Sequence, residues 1–191
     1  MSGKKTVPCT QEQYEQIINL TRDGVGTAIE PNPRIATALE VEANTGLRIG
    51  DVLRLRMADF IKDGNGGYRF NDLVEQKTRK IRSFYIPKDV HTFLKKYCER
   101  NGIDNDSRIF PISVRCVQKH LQKVTDYLGF EDISTHSFRK MFAGAAYVNS
   151  GYDIELVKEL LQHSSTTTTS KYLRITNERM AGVLNKCVSL I

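Results

Sequence analysis

An α+β fold, mainly α-helical with a small antiparallel β-sheet, is what the sequence predicts, and three observations predict it. Apolar residues recur at three- and four-residue steps along most of the chain, the period of a helix with one buried face. A single run of strong turn formers, Asp63-Gly64-Asn65-Gly66-Gly67, opens a stretch rich in aromatic and β-branched residues that ends near Ile86. No internal repeat breaks the pattern, and the one low-complexity run is Thr166 to Thr169.

Taken in order, residues 10–22 read as a first helix, with Thr10 as N-cap and Tyr14, Ile17, Ile18 and Thr21 on one face. Gly24, Gly26, Pro31 and Pro33 make the next stretch a loop. A second helix is expected from about Arg34 to Asn44, stopped by Gly46. A short third follows with Ile49, Val52 and Leu53 inward. Tyr68–Leu73 and Ile81–Ile86 read as the two strands of a hairpin across the polar turn 75–80, with a third strand near Ala58–Lys62. The remainder is helical. Val90, Phe93, Leu94 and Tyr97 form one apolar stripe. Val114, Val117, Leu121, Val124 and Leu128 form another, ended by Gly129. A helix is expected from about Ser137 to Ser150, ended by Gly151. Asp153 then caps one with Ile154, Val157, Leu160 and Leu161 inward, and a final helix carries Met180, Val183, Leu184 and Cys187.

With 191 residues and 40% hydrophobic content, the chain has the size of one domain with a sizeable core. The net charge of +6 suits a polyanionic partner, because Lys and Arg release condensed counterions when they meet phosphates. Charge alone does not establish such a partner. Cys9, Cys98, Cys116 and Cys187 stand far apart without metal-ligand spacing, which reads as reduced thiols in a cytoplasmic protein. The first five residues hold no apolar run, so no signal peptide is expected. No stretch reaches the ~20 apolar residues of a membrane span, so no membrane partner is expected.

Three segments carry residues capable of chemistry. In Thr45-Gly46-Leu47-Arg48 an arginine sits at a rigid corner between two helices. Taken alone it is more simply a solvated arginine at a helix start. His136 and Arg139 are spaced i, i+3 and so project from one face of a helix. Histidine exchanges protons near neutral pH, and arginine offers a planar fork for phosphate oxygens. His163 follows an apolar helix, and Tyr172 lies nine residues further on. Singly, these are ordinary capping or half-buried residues.

Together, and in this order, the segments resemble the tyrosine recombinases, also called phage integrases. That family has an arginine after Thr-Gly-Leu, a lysine in a β-hairpin, His-x-x-Arg, a His or Trp, and a tyrosine nucleophile. Arg48, Lys77, His136, Arg139, His163 and Tyr172 match these positions, with Lys80 the alternative to Lys77. The resemblance runs from about Thr10 to the C-terminus. It implies a DNA strand-breaking and rejoining enzyme that works through a covalent 3′-phosphotyrosine. Arg48, Arg139 and His163 would hold the phosphate, His136 would assist proton movement, and Lys77 would protonate the leaving 5′-oxygen. It implies no ATP, no metal and no cofactor, and the sequence holds no carboxylate cluster of the Mg²⁺-binding kind. Arg79, Lys80, Arg82, Lys140 and Lys171 are expected at the DNA backbone. Double-stranded DNA is the implied partner, with a homotetramer formed on it, and the protein would be prokaryotic or phage-encoded, as on a mobile element. Gln162 stands where the family often has glycine. The smaller helical domain that usually precedes this one is expected to be missing, leaving a single catalytic domain over residues 1–191. A type IB topoisomerase and an inactive DNA-binding module are the competing expectations.

Overall fold

The computed structural model describes residues 6–64, 66–70, 73–74, 81–82, 85–161, 163 and 165–173, with the side chains of residues 73, 74, 81, 82, 85, 171 and 172 outside the description. The chain divides into two compact units, Met1–Phe142 and Ala143–Ile191.

The first unit is built on the expected helices. Helix α1 (Gln11–Asp23) opens with a reciprocal cap. Thr10 Oγ1 accepts the Gln13 N–H at 3.1 Å, and Gln13 Oε1 accepts the Thr10 N–H at 3.0 Å. Such a cap is worth about 1 kcal/mol. Helix α2 (Pro33–Thr45) begins on a proline, whose fixed φ suits the first helical position, with Asn32 as cap. Ile17, Ile18 and Thr21 of α1 are buried where it packs on α2 and on α5 (Val114–Leu128). Burial of Val117, Leu121 and Val124 on α5 matches the predicted stripe. Ile35, Leu39, Leu47, Leu55 and Phe110 are fully buried and form the centre of the core.

The sheet differs in detail from the expected hairpin. Strands β1 (Phe60–Lys62), β2 (Tyr68–Phe70) and β5 (Tyr85–Ile86) form one antiparallel sheet in the order β1-β2-β5. Strands β3 (Leu73–Val74) and β4 (Ile81–Arg82) pair separately, Leu73 with Arg82 and Val74 with Ile81. The described residues of both predicted strands are extended and pair antiparallel, as expected of a hairpin. Ala58 and Asp59 belong to a 3-10 turn, Met57–Asp59, because Asp59 Oδ2 accepts the Arg56 N–H at 2.9 Å and closes it.

Helix α4 (Lys88–Asn101) buries Leu94 and Cys98, while Phe93 is 42% exposed. The buried line runs through i and i+4, which leaves Phe93 on the flank of the stripe. His91 of α4 stacks on Tyr68 of β2 with ring centroids 3.5 Å apart, and meets Phe60 of β1 edge-on at 5.5 Å. Burial lowers its pKa below the usual 6.5, aided by the charges of Lys95 and Lys62. A histidine kept neutral by the fold favours folding above its unfolded pKa and loses that contribution as pH falls through its folded one. Thermal melts between about pH 5 and pH 7 should therefore show wild type losing stability toward acid. His91→Phe, which keeps the stack, should lose less. Equal acid sensitivity in the two proteins would show that His91 does not carry the effect.

The second unit holds the end of α6 (Thr135–Asn149), then α7 (Ile154–Leu161) and α8 (Thr166–Leu173). Asp153 caps α7, its Oδ1 accepting the Leu156 N–H at 3.0 Å, as expected. Helix α8, packed on α7, was not foreseen, because a run of four β-branched threonines has poor helix propensity. The predicted terminal helix lies outside the described residues. Among the described residues Cys9, Cys98 and Cys116 are free thiols, and no helix is long and apolar enough to cross a membrane.

Candidate active site

The first half of the site grows from the end of α2. Gly46 takes the left-handed conformation, φ 64°, and its N–H donates to Glu42 O at 2.9 Å. A side chain there is doubly excluded, since a Cβ would also run into the Phe142 ring. Thr45 Oγ1 donates to Val41 O at 2.6 Å and accepts the Leu47 N–H at 3.3 Å. Leu47 is fully buried and anchors the turn. The chain then reaches Arg48, half-buried, at the N-cap of the four-residue helix α3 (Ile49–Val52). The corner is thus held by hydrogen bonds on both sides of Leu47.

Helix α6 brings the second arginine to the same corner. Arg139 is 0% exposed and is the largest fully buried side chain among the described residues. Its Nη1 donates to the carbonyl of Gly46. Charged side chains are rarely buried unless paired, so an arginine held here is no accident of a solvated surface. His136, one turn earlier, is exposed. The pair therefore does not share one exposed face: His136 is exposed while Arg139 is enclosed at the Gly46 corner. Ser137 Oγ accepts the Ser134 N–H at 3.0 Å and fixes the start of α6.

Two carboxyls that the sequence reading passed over lie at this corner. Asp51, on α3, is 2% exposed. Glu42 is 0% exposed, and its Oε1 accepts the Ile49 N–H at 3.0 Å. Burial pushes Glu42 well above the usual carboxylate range, against the opposing pull of Arg139 and the Ile49 hydrogen bond. Its other oxygen, Oε2, has no hydrogen-bond partner among the described residues. Cys9 is pushed up to about 12 by burial and by Glu42. Periodicity held the signal: Ile35, Leu39 and Glu42 share the buried face of α2.

His163 and Tyr172 belong to the second unit. The His163 N–H donates to Lys158 O at 3.0 Å, which turns the chain off the end of α7. Nδ1 of His163 and Oγ1 of Thr169 are hydrogen-bonded at 3.0 Å, and Thr169 is fully buried. Thr169, also unnoticed in the sequence, thus ties the histidine to α8. Lys171 and Tyr172 stand in the last turn of that helix, next to buried Leu173.

Of the residues expected at DNA, Lys140 donates its ammonium to Thr6, at 2.6 Å to the carbonyl and 3.0 Å to the hydroxyl. Arg82 is the second residue of β4. Lys77, Arg79 and Lys80 lie outside the described residues.

Comparison with known proteins gives a consistent answer. The model of the phage integrase family matches residues 9–179. Tyrosine recombinase XerC of Leptospira interrogans is 29% identical over 184 residues, covering 91% of this chain and 56% of that protein. XerC of Xanthomonas axonopodis is 30% identical over 154 residues, covering 76% of this chain and 48% of that one. The chain spans about half the length of these curated relatives. Among solved structures, a λ integrase dimer bound to a COC′ core site superposes with a TM-score of 0.67 at 20% identity, over 91% of this chain and 49% of that one. XerH recombinase bound to difH substrate gives 0.65 at 20% identity, over 96% and 55%. The catalytic domain of bacteriophage HP1 integrase gives 0.64 at 16% identity, over 94% of both chains. These likenesses show the fold: mainly helical with a small antiparallel sheet.

Proposed function

The chain belongs to the phage integrase family, and from that premise we propose that it is the catalytic part of a site-specific DNA recombinase. The observation that carries the proposal is the burial of Arg139 with its guanidinium on the Gly46 carbonyl, one residue from Leu47-Arg48. Two arginines rooted at one corner are suited to gripping one phosphate. The positive chain charge and the DNA-bound state of the XerH and λ integrase structures support double-stranded DNA as substrate.

In this reading Arg48 and Arg139 hold the non-bridging oxygens of a phosphodiester and stabilise the charge that grows on them. His163, oriented by Thr169, donates to the same phosphate. The Tyr172 hydroxyl attacks phosphorus, its proton leaving with help from His136. The bond from phosphorus to the 5′-oxygen breaks, and Lys77 protonates that oxygen. A 3′-phosphotyrosine and a free 5′-hydroxyl result, and attack by another 5′-hydroxyl reverses the step without ATP. The two units would act together as one catalytic domain in the cytoplasm. The active assembly would be a homotetramer on DNA, and exchange between sites, as on a mobile element, would be its outcome. Lys140, Lys171, Arg79, Lys80 and Arg82 would meet the backbone and position the duplex without reading its sequence.

The test is a suicide duplex, nicked so that the cleaved fragment diffuses away. A covalent protein–DNA band on a denaturing gel supports the reading, and none with intact protein rejects it. Supercoil relaxation by monomer would instead indicate a topoisomerase. On the same assay Lys77→Ala should cleave ordinary DNA slowly and recover most of its rate on a 5′-bridging phosphorothiolate, whose thiolate leaves unprotonated. Recovery in Lys80→Ala and not in Lys77→Ala would move the role to Lys80.

A further inference from the structure

A carboxyl group is buried beneath the corner that carries Arg48. Glu42 lies on the buried face of α2 at 0% exposure, where a hydrophobic residue would satisfy packing at no desolvation cost. Two of its acceptors hold the corner. Its backbone carbonyl takes the Gly46 N–H at 2.9 Å, and its Oε1 takes the Ile49 N–H at 3.0 Å. Gly46 and Ile49 bracket Leu47-Arg48, so both ends of the turn are fixed to one residue.

The second bond has a specific local cause. Arg48 occupies the N-cap of α3, a place normally taken by Ser, Thr, Asp or Asn because their side chains accept a hydrogen bond from the first turn. A guanidinium has no acceptor, and Arg48 makes no side-chain cap bond. Glu42, seven residues earlier on another helix, accepts instead from Ile49, the first N–H of α3, which lies outside the reach of an ordinary capping side chain. The Ile49 donor, one of the N–H groups a helix start leaves open, is therefore paired within the core.

We propose that Glu42 is a positioning residue for phosphate recognition: its carboxyl caps α3 from outside and thereby fixes the corner from which Arg48 reaches the scissile phosphate. This rests on the DNA-cleaving role proposed above. The role is separate from charge pairing, so glutamine, which keeps the accepting oxygen, fulfils it, and leucine, which keeps only the bulk, does not.

The experiment compares the full chain with Glu42→Leu and Glu42→Gln, each checked for cooperative melting. Two quantities are read: amide hydrogen exchange at Ile49 in the free protein, and single-turnover cleavage of nicked duplex at saturating DNA. Glu42→Leu should expose Ile49 to exchange roughly tenfold faster. It should also slow cleavage roughly ten- to a hundredfold, as displacement of a reacting group does, with duplex affinity nearly unchanged. Glu42→Gln should restore both protection and rate. Faster Ile49 exchange with an unslowed rate in Glu42→Leu would reduce Glu42 to packing and overturn the proposal. So would slow cleavage in Glu42→Gln with Ile49 still protected. If Glu42→Leu does not fold, the glutamine variant decides by the same two readings. If the intact chain forms no covalent complex with DNA, the proposed function fails. Ile49 exchange then judges the cap alone, and unchanged protection in Glu42→Leu overturns that too.

Discussion

Tyr172→Phe will bind duplex DNA like wild type and form no covalent complex with it. The substitution removes one oxygen and keeps the ring, and phenylalanine and tyrosine have nearly the same helix propensity. Helix α8, in whose last turn the residue lies, should therefore form equally well. Loss of a nucleophile commonly costs on the order of 10⁶ in rate, far more than any change in placement would. A gel shift on intact duplex checks binding, and a denaturing gel on the nicked duplex checks the adduct. A surviving adduct band would mean that another hydroxyl attacks.

Arg139→Ala should do double damage, and the two losses are separable. Removal of one preorganised donor to the phosphate should lose roughly 3–4 kcal/mol of transition-state stabilisation. Removal of a fully buried side chain that donates to Gly46 O also opens a cavity and strips a carbonyl of its partner. Each effect is of the order of 1–3 kcal/mol of folding stability. Urea unfolding measures the second loss. Cleavage per folded molecule, at a temperature where the variant is native, measures the first. Arg139→Lys keeps a charge but not the planar fork, so it should recover stability better than rate. Cleavage within a few-fold of wild type in the alanine variant would remove Arg139 from the phosphate.

The elements of the fold were legible where local chemistry and burial agree. Thr10 with Gln13, Gly46 after α2, Gly129 after α5 and Asp153 before α7 are caps that act within a few residues. What was not legible depends on partners distant in sequence. Residues 68–86 read as a two-stranded hairpin, but which strand Phe60–Lys62 pairs with is decided by tertiary contact, and it joins Tyr68–Phe70. Helix α8 was invisible because its own propensity argues against it, and packing on α7 overrides that. At the site, motif order marked Arg48, His136, Arg139, His163 and Tyr172, yet spacing suggested that His136 and Arg139 share a surface. Only the fold shows that one is exposed and the other enclosed. Glu42 and Asp51 escaped notice because an acid beside apolar neighbours is commonplace in a string of letters and costly only once buried.

The bond between His163 and Thr169 bears on time as well as place. Helix α8 has eight residues, four of them threonine, and so little intrinsic stability that it would be unpopulated as a peptide in water. It exists because Thr169 is held by the imidazole and Leu173 is buried. The carrier of Tyr172 is thus a helix held by a few contacts, and its expected opening is local rather than global. In the proposed reaction cleavage would draw only on the wound fraction, so the observed rate constant would be the intrinsic one multiplied by that occupancy. Amide exchange along Thr166–Leu173 would report that occupancy, and a substitution that raises it should speed cleavage without touching the chemistry.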